Sequence, residues 1–356
     1  MNASMHEGKT HIIPYTISNL RQLSRENKIS HELMPKIRQN SYIHCPCIND
    51  NMVVLVAIKT ETDSIVGYMG ILPELLQKPN IRVSWGITLF VDSKYRGKGY
   101  AGILNSEIQS RAEGTYLVIN HVPTTAHILK KQGNEELFYE KCQLYVSFRN
   151  EYRGKFLSLK SVINDIHKQL FRRYPKQHHS LDKIELEYVK CLDEETYCFI
   201  LKHSTGDMFV RSQDMLNWIL QYPFTVEAPL TDKTNKSYSF AYSYKTNTLY
   251  AVKVYFQKEL IGFLMFKNRD GDLVLLYRYF KDIYREYIYV IIAEHINVLR
   301  PQIFTTTDMV LVDFLKQQLK PIRVLHSKFR LSFPKQHSGI DVENGYIQGG
   351  DGDMFI

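Results

Sequence analysis

Nothing in the 356 residues approaches the ~18 consecutive apolar side chains that a membrane helix requires. The best stretch, Ile288 to Leu299, is interrupted by Glu294 and His295, and the polar opening Met1 to Thr10 lacks the apolar core of a secretory signal. A soluble, cytoplasmic protein with no membrane partner is expected. Cysteine is scarce: the five, at 45, 47, 142, 191 and 198, form an odd set with no regular framework, so reduced thiols are expected and no disulfide is needed. No metal is expected either. The segment His44-Cys45-Pro46-Cys47 is half of a zinc site at most, since no second Cys/His pair follows at a familiar spacing, and a loop cluster is the plainer reading. Gly349-Gly350-Asp351-Gly352-Asp353 resembles a calcium loop through its Asp-x-Asp but lacks the further ligands and the terminal Glu. A flexible tail is expected there, with the apolar Met354-Phe355-Ile356 free to dock back. Neither sign of charge dominates: 45 Lys and Arg against 37 Asp and Glu leave +8, which suits an anionic ligand without selecting nucleic acid.

With 44% hydrophobic and 12% aromatic residues the chain can bury substantial cores, and its length favours two domains. The pattern reads as a helix over Ile17 to Asn27, then strands over Met52 to Lys59, Ile65 to Leu72 and Arg82 to Val91. Gly86 inside the third strand marks a bulge or the close approach of another backbone. A glycine turn, Asp92 to Ala101, leads into a helix from Gly102 to Arg111. A short strand Tyr116 to Asn120, a helix Thr124 to Gln132 closed by Gly133, and a strand Cys142 to Arg149 complete a first domain, 1–150.

The second half, 151–356, opens with a helical stretch Leu157 to Phe171, a basic loop Arg172 to His179 and a strand Ile184 to Cys191. A helical region holding Trp218 follows. Strands Tyr250 to Phe256, Leu260 to Phe266 and Leu273 to Phe280, helix Ile283 to Leu299, strand Gln302 to Thr305, helix Asp308 to Leu319 and strand Ile322 to Leu331 then repeat the order of the first half. Ile65-Val66-Gly67-Tyr68 is echoed by Leu260-Ile261-Gly262-Phe263, so a tandem duplication is inferred; two unrelated α/β domains are the competing reading.

Three glycines and two cations, Arg96 and Lys98, stand between a buried strand and a helix start. Glycine permits positive φ and converging N–H groups, and the helix N-terminus adds partial positive charge, so the turn suits a diphosphate. A dinucleotide site also wants an acidic residue at the end of the next strand, where this chain has Asn120-His121, and a triphosphate loop needs Ser or Thr after Lys98, where Gly99 stands. RVSWGITLFVD followed by SKYRGKGYAG resembles the acetyl-coenzyme A motif of the GNAT (GCN5-related N-acetyltransferase) superfamily, Arg/Gln-x-x-Gly-x-Gly/Ala, with Arg96, Gly99 and Ala101 at the fixed positions. The resemblance covers roughly residues 10 to 150 and is specific mainly in residues 83 to 111.

The resemblance implies an α+β fold of two tandem GNAT-like domains, each a mixed, mostly antiparallel sheet flanked by helices. It implies acetyl-coenzyme A as cosubstrate, with the amides of Arg96, Gly97, Lys98, Gly99, Tyr100 and Ala101 on the pyrophosphate and the backbone of Leu89, Phe90 and Val91 along the pantetheine arm. It further implies an N-acetyltransferase acting on a primary amine of an unidentified small-molecule, sugar or peptide acceptor. Two departures stand out. Aligned on Gly133, Leu129 occupies the place of the family's proton-donating Tyr and Pro123 that of its Asn, and residues 81–91 hold no carboxylate. His127, Tyr139 and Tyr100 are the available substitutes for the acid. His121 is the candidate base, because imidazole titrates near neutrality; a partly exposed loop histidine is its ordinary alternative. Since Leu276 to Tyr284 contains no Gly, the second domain is read as degenerate and as a wall of the acceptor pocket. Tyr238, Phe240, Tyr242, Tyr244 and Tyr250 fit one face of a strand, as ordinary sheet packing or as a lining over a sugar. A non-catalytic acyl-coenzyme A binding protein and an aminoacyl transferase using tRNA remain the alternatives.

Overall fold

The computed structural model describes residues 9–146, 183–227, 238–335, 340 and 345–356. The helix and basic loop expected over 157–179 lie outside these residues. The chain packs into two units that interleave in sequence: Met1–Leu137 with Asp232–Tyr242 and Arg330–Ile340, and Phe138–Thr231 with Ser243–Phe329 and Asp341–Ile356.

The first unit runs β1 (Thr10–Thr16), α1 (Ile17–Arg25), α2 (Lys36–Ile43), β2 (Val53–Thr60), β3 (Ile65–Lys78), β4 (Arg82–Val91), α3 (Tyr100–Arg111), β5 (Thr115–Ile119) and α4 (Pro123–Lys131). Thr16 starts α1 because its hydroxyl accepts from Asn19 N–H at 3.3 Å. The first four strands pair antiparallel in sequence order, and β4 then pairs parallel with β5. Val56, Ile58, Val66, Met69 and Ile71 meet Leu104 and Ile108 of α3 in one core, where each such side chain contributes roughly 1.5–3 kcal/mol.

The strand expected from Cys142 begins earlier, as β6 (Asn134–Tyr145), and runs from the first unit into the second. The second unit continues with β7 (Ile184–Val189), α5 (Glu194–Lys202), β8 (Val210–Arg211), α6 (Gln213–Gln221), β9 (Val226–Glu227), β10 (Ser243–Tyr244), β11 (Asn247–Phe256), β12 (Glu259–Arg269) and β13 (Asp272–Phe280). It then forms α7 (Arg285–Leu299), β14 (Ile303–Thr306), α8 (Met309–Leu319) and the opening of β15 (Arg323–Pro334). Side-chain oxygens of Asp193, Ser212 and Asp308 accept from the third helical N–H of α5, α6 and α8, which is why those helices start there.

The duplication read from sequence is visible in the register. Gly67 lies opposite Ile58 and Val91; Gly262 lies opposite Val254 and Phe280. A Cβ at Gly67 would meet Leu104 of α3 at 3.1 Å, and one at Gly262 would meet Ile288 of α7 at 2.4 Å. The same glycine serves the same helix contact in both units. Each unit also takes its last strand from the other half of the sequence. Leu331 and Ser332 of β15 pair antiparallel with Ile119 and Val118 of β5, whereas Cys142 to Tyr145 of β6 pair with β14.

The bulge does not fall at Gly86. Gly70 faces Ile87 and Tyr68 faces Phe90, so Thr88 and Leu89 together oppose Met69, with Thr88 at φ +52°. Gly86 instead makes room for a side chain: a Cβ there would lie 2.3 Å from the Tyr116 hydroxyl. Gly86→Val is expected to destabilise the first unit by about 2–3 kcal/mol through overpacking, read as a lower urea midpoint at unchanged slope.

The Tyr238 to Tyr250 alternation is not one strand face. Tyr238, Phe240 and Tyr242 lie outside any strand and belong to the first unit, where Tyr238 stacks on Tyr68 at 5.9 Å and carries Arg38 over its ring at 5.1 Å. Tyr250 sits on β11 and stacks on Phe266 at 5.3 Å. The expected flexible tail is packed as well, with Phe355 buried between Trp218 and Phe224.

Candidate functional site

Parallel pairing between β4 and β5 is confined to Val83–Trp85 against Thr115–Leu117, although β4 continues to Val91 and β5 to Ile119. The bulge at Thr88 sits where the two strands part. Arg96 Nε donates to Val91 O at 3.1 Å and ties the following loop to the strand end. Gly97 and Gly99 hold φ of +81° and +85°, a conformation that costs other L-residues about 1–2 kcal/mol. Gly99 is the N-cap of α3 and offers no side-chain cap, so the first N–H groups of that helix are left for a ligand. A Cβ at Gly97, Gly99 or Gly102 would meet nothing within 4 Å. The residues present fit a diphosphate group, because glycine keeps free the space beside those amides.

A cavity of about 840 Å³ opens over this turn. Of the residues singled out from sequence, Val91, Arg96, Gly97, Gly99, Tyr100 and Ala101 line it. Leu89 packs instead against the core, Phe90 borders a second cavity of about 630 Å³, and Lys98 is exposed. The sequence reading missed the contribution of Lys131 and Gln132 at the end of α4, which face the cavity beside His127. The i, i+4 spacing of His127 and Lys131 was the available signal. Gln132 is fixed by a chain of contacts: its Nε2 donates to Ser106 Oγ at 2.7 Å, Asn105 Nδ2 donates to its Oε1, and the Tyr116 hydroxyl donates to Asn105 Oδ1 at 2.7 Å.

His121 does not line this cavity. It follows β5, its side chain is 4% exposed, and its Nε2 lies 3.1 Å from both Glu136 Oε1 and Ser332 Oγ. Burial lowers its pKa and the hydrogen bond to Glu136 opposes that shift, so the ring is neutral around pH 7. With Nε2 donating to the Glu136 carboxylate, the lone pair of the neutral ring lies on Nδ1, which is buried. Of the substitute acids, Tyr100 and His127 border the cavity, whereas Tyr139 lies in the second unit against Phe329. Leu129 is buried in the core and supplies no hydroxyl. A further pair was invisible in the sequence: a methyl group at Gly70 would lie 2.8 Å from the Tyr42 hydroxyl and 3.0 Å from Thr88 Oγ1, so both hydroxyls stand at the bulge.

The second unit keeps the bulge and loses the turn. Met265 faces Tyr277 and Phe266 faces Leu275, leaving Leu276 extra. Between β13 and α7 run the four residues 281–284, against the eight residues 92–99 between β4 and α3. His44, at the end of α2, places Nδ1 2.8 Å from Asn40 O, and among the described residues no group of three or more His, Cys, Asp or Glu side chains is placed to hold a metal. Cys45 and Cys142 are buried, and no helix among the described residues is long and apolar enough to cross a membrane.

No protein-family model and no curated protein matches the sequence. Among solved structures, the chain is similar to a GCN5-related N-acetyltransferase from Kribbella flavida, with a TM-score of 0.51 and 12% identity over 93% of this chain and 72% of that one. The chain has the GNAT fold. A GCN5-related N-acetyltransferase from Anabaena variabilis gives a TM-score of 0.47 at 13% identity over 91% of this chain and 72% of that one. At such identities the likeness speaks for the fold alone. Within the GNAT fold of the first unit, the end of β4, the glycine turn and the capless start of α3 border one cavity.

Proposed function

We propose that the first unit is an acyl-coenzyme A dependent N-acyltransferase that moves an acetyl group from acetyl-coenzyme A to a primary amine. The observation that carries this reading is the Gly97–Gly99 turn, whose positive φ values and uncapped helix start border an open cavity. In this reading the amides from Arg96 to Ala101 hold the pyrophosphate, Arg96 and Lys131 supply positive charge, and the backbone of Leu89 to Val91 runs beside the pantetheine arm.

A protonated amine must lose a proton before its nitrogen can attack the thioester carbonyl. The N–C bond then forms, the C–S bond breaks, and the electron pair leaves on sulfur. In this reading His121, held by Glu136 and Ser332, receives the proton by relay, because its ring does not border the cavity. A thiol pKa of about 8.5 makes sulfur an adequate leaving group, and the thiolate takes its proton from solvent. The second cavity, on the other side of the β4 end, carries Glu32, Asp63 and Asp92 against Lys59, and this carboxylate excess suits a cationic acceptor.

Calorimetry with acetyl-coenzyme A and thiol release against a panel of amines test the proposal. Binding without turnover on any amine would leave a coenzyme A binding protein, and turnover with charged tRNA alone would make it an aminoacyl transferase. His121→Ala is expected to lower kcat/KM about 100-fold with coenzyme A affinity unchanged. In Glu136→Gln the partner that raises the His121 pKa is gone, so the acidic limb of the pH–rate profile should move to lower pH. A limb that stays in place would remove His121 from the mechanism.

A further inference from the structure

In the second unit the strands that correspond to β4 and β5 also part, and the space between them is filled. β13 and β14 pair in parallel only from Asp272 against Ile303 to Val274 against Thr305, while β13 continues to Phe280. The segment Tyr346–Ile356 lies along the part of β13 that β14 leaves. Arg278 N–H donates to Gln348 Oε1 at 2.9 Å, and the hydroxyls of Tyr346 and Thr307 are 2.6 Å apart. We propose that this cleft is a peptide-binding site, that Tyr346–Ile356 is its resident ligand, and that it takes turn-forming glycine-glycine-aspartate peptides followed by apolar side chains where the first unit is proposed to take a coenzyme.

The fit is written into both partners. Gly349 and Gly350 pass so close to β13 that a Cβ would lie 2.4 Å from Leu275 O and 2.4 Å from a Tyr277 ring carbon, so no other residue can occupy either place without moving the strand or the segment. A turn holds the glycines there: Gln348 N–H donates to Asp351 Oδ2 at 2.8 Å, and Asp351 N–H donates to Gln348 O at 3.2 Å. The cleft reads peptide backbone rather than phosphate. Buried Arg211 donates to the carbonyls of Gly350, at 3.2 Å, and of Gly352, while its Nε donates to the Tyr277 hydroxyl at 2.6 Å. Lys267 Nζ donates to Met354 O at 2.8 Å. Gln348 Nε2 donates to Asp207 Oδ2 at 2.7 Å, and the Phe355 ring enters an aromatic pocket of Trp218 and Phe224. Side-chain donors on the peptide carbonyls give affinity, and the pocket around Phe355 gives selectivity. The glycine-free connection 281–284 explains why this cleft was open to a new occupant: it cannot form the amide turn of the first unit.

Hydrogen exchange followed by mass spectrometry on the full chain provides the first test. The amides of 346–356 should exchange at least about 100-fold more slowly than in a free peptide of that sequence. Gln348→Ala should reduce that protection about tenfold, and Gly350→Leu should abolish it, with β11 to β13 still protected in both. A fluorescent peptide of residues 345–356 should then bind Gly350→Leu in anisotropy titrations, fail to bind the wild type whose cleft is filled, and lose binding when it carries the same leucine. Free exchange of the segment in the wild type would overturn the proposal. So would a released segment that the added peptide cannot replace, or loss of protection throughout β11 to β13 in both variants, which would make the segment ordinary core.

Discussion

Replacing Gly99 with valine is expected to weaken acetyl-coenzyme A binding by about 100-fold, a loss of about 3 kcal/mol. Two effects add. Gly99 holds φ +85°, so a β-branched residue there costs more than the ~1–2 kcal/mol typical of the left-handed region, and the loop relaxes away from the conformation that aims its amides outward. The new side chain also projects into the open volume that a diphosphate would fill. Gly99 itself is exposed, so the strain should lower the melting temperature by only a few degrees. Lys98→Ala provides the contrast. Lys98 is exposed and does not border the cavity, so its loss should change affinity only about two- to threefold, and less in high salt. Calorimetric titration of the three proteins decides the matter, and equal affinities would show that the turn does not hold the ligand.

A loss of stability on mild acidification is the second large effect expected, and it belongs to the second unit. His295 is fully buried on α7, with Nδ1 donating to Ile291 O at 2.8 Å and Nε2 accepting from the Tyr188 hydroxyl at 2.8 Å. The rings of Phe266 and Tyr250 stack on it at 5.1 and 6.2 Å. Burial lowers its pKa from 6.5 to about 4. Between these values the unfolded chain binds the proton and the folded chain does not, so stability is complete above pH 6.5 and declines as the pH falls to 4, by about 3 kcal/mol in all. His121, whose pKa is also lowered, adds to the decline in the same direction. Asp193, held down to about 2 against Lys253 and Thr196, responds only below this window. Denaturant titrations at pH 7 and pH 4.5 measure the effect. In His295→Leu the pH slope should flatten, while stability at pH 7 falls by about 1–3 kcal/mol because the Tyr188 hydroxyl loses its acceptor. An unchanged slope would place the titrating group elsewhere.

Where structure is local, the sequence displayed it. β-branched runs marked β2 and β4, the glycine turn marked the start of α3, and the repeated Ile-Val-Gly-Tyr and Leu-Ile-Gly-Phe segments marked the duplication that the register bears out. Where a residue answers to a distant partner, the pattern failed. Helix α2 buries Arg38, Gln39 and Ser41 among its turns, so no apolar periodicity announces it, and Arg38 finds its aromatic partner Tyr238 200 positions away. Gly86 carried the expected sign of a bulge but serves the Tyr116 hydroxyl, and the true bulge at Thr88 has no compositional signature. The surroundings of His121 depend on Glu136 and Ser332, separated from it by 15 and 211 positions. The Gly-Gly-Asp-Gly-Asp segment read as loose because its residues favour turns; its order comes from Arg211, Tyr277 and Trp218, which no local pattern could reveal.

The exchange of closing strands bears on the history of the gene. A duplicated ancestor whose copies each kept their own last strand could later lose one copy, or be split into separately made proteins. Once Leu331 and Ser332 had come to flank Ile119, and Cys142 to Tyr145 to flank β14, neither route stayed open: excising either copy strips its neighbour of a paired strand. The second half is therefore retained by topology, whatever chemistry it carries.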